Sequence, residues 1–363
     1  MELLHLRAHD FRNLVSIDLR PGKRFNIISG DNGQGKTNLI EAIYLLGTVK
    51  SFRAHKNREL VRWGAERAVI EGLVERGCDE RIARVEVSAQ NKNVYLGDMA
   101  VDRLSDFFGT LNVVVFTPDD LSLVKAGPGA RRRFLDRAVF NLRASYAGDA
   151  VRYDQILRQR NALLRGSKFV QALLDIYDDQ LALLGARVAE ARRNFVNEFA
   201  PRLSASFRRI YGSLEVQVRY DAPWWVDGDA QSSLLAALSR TRSDDVRRGN
   251  TSVGPHRDDL KLDLDGNPAR VFASQGQQRA MVLSMKIAEA ELFESQKGFR
   301  PILLLDDVSS ELDRERNGFL FDHLRDRPGQ VFITTTHRGH IALSQDVDLY
   351  EVADGDVMKV SVG

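Results

Sequence analysis

Gly30, Asp31, Asn32, Gly33, Gln34, Gly35, Lys36, Thr37 and Asn38 fit the phosphate-binding pattern G-x-x-x-x-G-K-[ST] without a mismatch. The glycines let the backbone turn its N–H groups inward around a polyphosphate, where a Cβ would obstruct. The Lys36 ammonium then reaches the β and γ phosphates, and the Thr37 hydroxyl ligates Mg²⁺. A plain Gly-rich turn is the competing reading, and the flanks argue against it. Phe25, Ile27 and Ile28 make a strand before the loop, and Leu39, Ile40, Ala42, Ile43 and Leu46 recur at helical spacing after it, the order the motif requires. Nucleotide binding follows.

Further chemistry lies downstream. An apolar run over 302–305 ends in Asp306 and Asp307, the pattern of a buried parallel strand delivering carboxylates at its C-terminal edge, where open α/β sheets bind ligands. Asp306 is expected to hold Mg²⁺ through water and Asp307 to accept a proton from the attacking water; a helix N-cap is the other reading of such a pair. Ser310, Glu311, Leu312 and Asp313 follow at once, and a strand over 331–335 ends at Thr336 and His337, whose imidazole suits a hydrogen bond to a γ-phosphate. Ser274, Gly276 and Gln277 precede an apolar helix expected over 280–292, and a hydroxyl with backbone N–H groups ahead of a helix forms an anion site. Because the first loop already surrounds the phosphates from one side, this second anion site fits the nucleotide of another subunit. That arrangement is a homodimer with its nucleotides sandwiched between the chains.

The elements that must position these groups come next. The 363 residues, 43% hydrophobic, leave room for two domains or one with an insertion. One Cys and seven His exclude a disulfide framework or a Cys-based zinc site. The opening residues, with Glu2, His5, Arg7, His9 and Asp10, lack a signal-peptide core, and no run reaches transmembrane length, so a cytoplasmic protein without a membrane partner is expected. Residues 3–7 and 16–19 read as an antiparallel pair around Phe11, Arg12 and Asn13, with Arg12 and Asn13 flanking the nucleotide. Alternation over 68–74, 83–88 and 94–96, with turns at Gly77 and at Gly97 and Asp98, reads as a meandering antiparallel sheet. Residues 131–210 read as helical, divided at Gly166 and Ser167, and carry 16 Lys and Arg against 8 Asp and Glu. That net of +8 leaves −6 for the remainder of a chain whose formal charge is +2. Arg131, Arg132, Arg133, Arg192 and Arg193 are the candidate DNA contacts, with a solvated helical face as the competing reading. Residues 251–259 are too polar for a core and read as a hydrogen-bonded surface loop ahead of a strand over 260–264.

Taken in order, these stretches resemble the Walker A, signature, Walker B, D-loop and switch elements of ABC-type ATPases. The separation of about 240 residues between loop and signature, filled by a helical insertion, resembles the SMC-like branch. Within that branch the chain is similar to the RecF family at Phe11-Arg12-Asn13 and over 30–38, 116–121, 131–136, 252–259, 274–279 and 303–313. The signature departs from the usual Leu-Ser-Gly-Gly-Gln, with Ala273 before Ser274 and Gln275 in place of the first Gly. The resemblance implies an α/β fold: an ABC-type head with a mixed sheet and an antiparallel β-subdomain from residues 1–118 and 250–363, and an inserted, mostly helical arm over 119–249. It also implies ATP and Mg²⁺ as cofactors, an ATP-dependent homodimer, binding of double-stranded DNA or single-strand/double-strand junctions at gaps, and slow, DNA-stimulated hydrolysis as a reset. RecR and RecO are the implied partners in loading RecA. A transporter ATPase and a nucleotide-dependent scaffold that ignores DNA are the rival readings; the basic insertion weighs against the first, and the second predicts no effect of DNA on turnover.

Overall fold

The computed structural model describes residues 1–166, 171–212, 214–308, 314–327, 329–341, 343 and 345–360. Ser167, and Ser310 with Glu311, Leu312 and Asp313, lie outside the described residues. The chain divides into two compact units, Met1–Leu121 with Ser206–Gly212 and Gln275–Gly363, and Ser122–Ala205 with Ser213–Ser274.

The first unit is built on two six-stranded sheets. In β4 (Arg67–Arg76) every second residue from Ala68 to Val74 is buried, as in an antiparallel sheet with one face on a core. It lies in the order β2-β1-β4-β5-β6-β7, with β1 Glu2–Phe11, β2 Leu14–Leu19, β5 Asp79–Ser88, β6 Lys92–Leu96 and β7 Met99–Ala100. Strands β3 (Phe25–Ser29), β8 (Val113–Phe116) and β13 (Val331–Thr335) are buried at every residue. Such covered strands belong to a mainly parallel sheet, with the order β15-β14-β3-β13-β12-β8. Here β12 is Ile302–Leu305, β14 Val347–Ala353 and β15 Asp356–Val360, and only the β14–β15 pairing is antiparallel.

The helix Lys36–Thr48 buries eleven of its thirteen residues, because its core cluster joins Leu6 and Ile70 of one sheet to Ile302 and Phe332 of the other. A helix covered on every side must be apolar all round. Its one acid, Glu41, is fully buried and is held by the Arg12 guanidinium at 2.8 and 2.9 Å.

The second unit packs the helices Pro128–Leu142, Ser145–Arg165 and Ala230–Arg248, with most of Gln171–Tyr211, against a small sheet of β9 (Val216–Asp221), β10 (Asp259–Leu264) and β11 (Asn267–Pro268). Its second boundary falls at Gln275, not at the expected residue 250. The reason is pairing: β10 bonds to β9 from Asp259 opposite Asp221 to Leu264 opposite Val216, and the Arg131 guanidinium grips Asp259 at 2.7 and 2.9 Å.

The polar stretch 251–259 is likewise no surface loop, since Thr251, Asp258 and Asp259 are buried. Arg160, with no exposure, donates to Asp178 at 2.6 Å, Asp245 at 2.9 Å and Thr251 Oγ1 at 2.9 Å. Asp258 accepts from Trp224 Nε1 at 2.7 Å and from the Tyr220 hydroxyl. Polarity excludes a residue from the core only when partners are missing, and here helices, strand β9 and the turn at Trp224 supply them.

Candidate functional site

The phosphate loop is braced from two sides within the first unit. Gly30 (φ 150°) and Gly35 (φ 123°) lie where a Cβ would stand 2.3 Å from the Val352 carbonyl oxygen and 2.9 Å from Asn13 Oδ1. Asn13 Nδ2 donates to the Gln34 carbonyl at 2.9 Å while Asn13 Oδ1 accepts from Asn38 Nδ2 at 2.7 Å. On the other side the β14–β15 turn donates Asp354 N to Gln34 Oε1 at 2.6 Å and Gly355 N to the Gln34 carbonyl at 3.0 Å. Asp31, Asn32 and Gly33 are left exposed at the tip.

Lys36 is buried, its Nζ donating to the carbonyls of Gly30 at 2.7 Å and Asp31 at 2.8 Å. Burial lowers its pKa, opposed by Asp307, Asp306 and Asp31. Asp306, at the end of β12, accepts from Thr37 Oγ1 at 2.9 Å and Thr334 Oγ1 at 2.8 Å on one oxygen. Burial raises its pKa, opposed by those two hydroxyls and by the Arg53 charge. A buried carboxylate beside a hydroxyl, both hard oxygen donors, fits Mg²⁺ bound partly through water.

Asp307 sits in the left-handed region, φ 49°, a conformation that costs an Asp about 1 kcal/mol and gathers at functional sites. Its N–H donates to Thr334 Oγ1 at 2.9 Å. Thr334 thus ties the Asp306 carboxylate to the Asp307 backbone, a role the sequence reading missed; its signal is the run Thr334-Thr335-Thr336 closing an otherwise apolar strand. His337 is exposed beyond β13, its N–H donating to Thr335 Oγ1 at 3.1 Å. Thr336 and Arg338 line the 480 Å³ cleft beside Gly30 and Asp31, and His337 is not part of that lining. Arg338 donates from Nε to Ser29 Oγ at 2.8 Å. A larger cleft of 790 Å³ lies at the amino ends of β3, β13 and β14, against Arg24, Gln330 and Asp346. It has no phosphate loop, so chemistry rather than size picks the site.

The signature helix starts at Gln275, not at 280, so Gly276 and Gln277 lie in its first turn, with Ser274 just ahead. The Arg12 guanidinium is engaged by Glu41 and, at 2.9 Å, by the Glu59 carbonyl. Two candidate DNA contacts need correction. Arg131 and Arg192 are buried in the second unit, Arg131 on Asp259 and Arg192 on Asp136 at 2.7 Å and the Pro255 carbonyl at 2.7 Å. Ion pairs formed in the fold remove both from any DNA surface. Arg132 donates to the Asp258 carbonyl at 2.7 Å and is half-buried. Arg133 and Arg193 are exposed, Arg193 lying 4.5 Å over the Trp225 ring.

Residues 2–356 match the RecF/RecN/SMC N terminal domain. A DNA replication and repair protein RecF of Myxococcus xanthus (strain DK1622) is 46% identical over 346 residues, 93% of this chain and 91% of that one. Another, of Geobacter sp. (strain M21), is 43% identical over 99% of this chain and all of its own length. The solved structure of the recombination mediator protein RecF with ATP, in the RecFOR pathway, superposes with a TM-score of 0.91 at 32% identity, covering 99% of this chain and 97% of that one. An Smc head bound to the winged-helix domain of ScpA, at 16% identity and a TM-score of 0.59, covers all of this chain and 98% of its own and shares the fold. With a phosphate loop, a strand-end carboxylate pair and relatives of this identity along nearly its whole length, the chain belongs to the RecF family of SMC-like ATPases.

Proposed function

We propose that this chain is an ATP-dependent, DNA-binding recombination mediator that dimerises around its nucleotides. The observation that carries the reading is the union of Lys36, Thr37 and Asp306 at one strand edge, with Thr37 Oγ1 2.9 Å from Asp306. Lys36 exchanges the Gly30 and Asp31 carbonyls for the β and γ phosphate oxygens, and the N–H groups from Gly30 to Asn38 ring the chain of phosphates. Thr37 and, through water, Asp306 would hold Mg²⁺, which would supply charge neutralisation on the phosphates. Asp307 takes the proton of the attacking water, its backbone fixed by Thr334. His337 reaches the γ-phosphate once the site closes. Asn13 keeps the loop open from behind, and Arg12 ties the loop's helix to its neighbours.

Ser274, Gly276 and Gln277 meet the γ-phosphate of the partner chain, so neither subunit completes its site alone. Hydrolysis is weak, DNA-stimulated and resets the dimer. A solved relative that acts in the RecFOR pathway supports a role beside RecO and RecR, loading RecA at gaps is the role the family resemblance implies, and family membership removes the transporter rival. Light scattering with and without ATP and gapped DNA tests the proposal. ATP should double the mass and DNA should add to it; an unchanged mass would remove the dimer, and a dimer indifferent to DNA would leave only a nucleotide-dependent scaffold.

A further inference from the structure

Trp63 is 91% exposed, the most exposed of the large apolar side chains among the described residues. An isolated exposed apolar residue needs no explanation, but this one is held out on a rigid base. It is the second residue of a tight turn, in which Ala65 N donates to the Arg62 carbonyl at 3.1 Å and Gly64 takes φ 86°. That is the left-handed third position of a type II turn, where a Cβ is disfavoured. The base is pinned to the β1 strand by the Phe11–Val61 bridge and by Arg62, which bonds Asp10 through its backbone at 2.8 Å and its side chain at 2.6 Å. Arg58 Nη1 closes the turn on the Ala65 carbonyl at 3.0 Å.

The surroundings are cationic. Residues 50–67 hold six Lys and Arg against two Glu, and Lys50, Arg53, Lys56, Arg58 and Arg67 are exposed. A protein-binding face would surround the indole with apolar residues and deplete lysine. An aromatic plane among cations matches instead a single-stranded nucleic acid, whose bases stack while its phosphates are neutralised. A fully paired duplex offers an indole no unpaired base, whereas the single strand at a gap does.

We propose that Trp63 is a stacking platform for an unpaired nucleobase at a single-strand/double-strand junction, with Lys56 and Arg58 on the adjoining phosphates, Arg67 being paired with Glu86 at 3.6 Å. This inference rests on the DNA-binding reading above and assigns it to a surface of the first unit. Competition anisotropy with gapped and blunt duplex DNA tests it, using Trp63→Ala, Trp63→Phe and Lys56→Gln. Trp63→Ala should weaken binding to gapped DNA roughly 5- to 160-fold, the range for losing one stacked base, and leave blunt duplex within about twofold. Trp63→Phe should keep most of the preference, and Lys56→Gln should lower the salt slope by about 0.9. ATPase activity without DNA should be unchanged in all three, a check that the fold is intact. Equal affinity of Trp63→Ala and the unsubstituted protein for gapped DNA would overturn the platform alone; an unsubstituted protein that binds neither DNA would overturn the DNA reading and the platform together.

Discussion

Thr334 carries two obligations with one hydroxyl, donating to Asp306 and accepting from the N–H of Asp307. Thr334→Val keeps the shape and removes both bonds, so the left-handed backbone of Asp307 loses its anchor. Turnover should fall by about tenfold or more, since misplacing a reacting group is costly even when binding persists. Nucleotide affinity should change little, and single-turnover assays beside equilibrium titration separate the two. Asp307→Asn is the sharper substitution: loss of a general base is worth about 10²–10⁴ in rate, and the protein should accumulate as an ATP-bound dimer. Wild-type turnover in that variant would move the base elsewhere. Lys36 was legible in the sequence because its loop has a fixed spacing. Thr334 was not, because a threonine ending a strand has the same local signature as a turn, and its meaning comes from β12 lying beside β13.

At the scale of an element, the stretch 251–259 shows where linear reading stops. Its polar groups, the Asp259 carboxylate, the Thr251 hydroxyl and the Pro255 carbonyl, are answered by Arg131, Arg160 and Arg192, far away in sequence, so counting arginines along helices marked as free cations some that are internal ties. The stretch also makes a titration prediction. Burial pushes Asp258 up to about 6, against the Tyr220 and Trp224 bonds, and His256 down to about 4, against its bond to the Thr251 carbonyl. Between pH 4 and 6 the unfolded Asp is ionised while the folded one keeps its proton, so its contribution to stability falls as pH rises. Over nearly the same window the unfolded His is protonated while the folded ring is neutral, so its contribution rises. At about 1.4 kcal/mol per pKa unit each amounts to about 3 kcal/mol, and the two nearly cancel. Asp258→Asn should therefore show urea midpoints that climb from about pH 4 to 6.5, and His256→Gln midpoints that fall from about pH 4 to 6. Slopes of the same sign in both variants would contradict the pairing.

For the molecule as a whole, the composite site is the claim with the widest reach. Ser274→Arg places a long cation at the start of the signature helix, where a partner's phosphates are proposed to dock. It should spare ATP binding by the monomer and abolish ATP-dependent dimerisation, while Lys36→Met should abolish binding of a fluorescent ATP analogue. An equimolar mixture of the two should recover at most one competent site per dimer, which sedimentation and turnover together would reveal. Normal dimerisation by Ser274→Arg would remove the sandwich. The head's strands were readable from alternation and from apolar runs; the boundary at Gln275 was not, because it depends on β10 choosing β9 as its neighbour. That same dependence on distant partners has a consequence for how the molecule comes into being. Strand β3 pairs only with β13 and β14, Phe25 facing both Val331 and Val347, and the loop that follows is clamped by Asp354 and Gly355. On the ribosome, then, the phosphate loop and its Asn13 brace emerge some 300 residues before the strands and turn that hold it from the other side, roughly 15–60 s at ordinary elongation rates. A nascent chain should therefore gain ATP affinity only once β13 and β14 have joined β3, and chains made no further than β12 are expected to stay out of the ATP-dependent dimer.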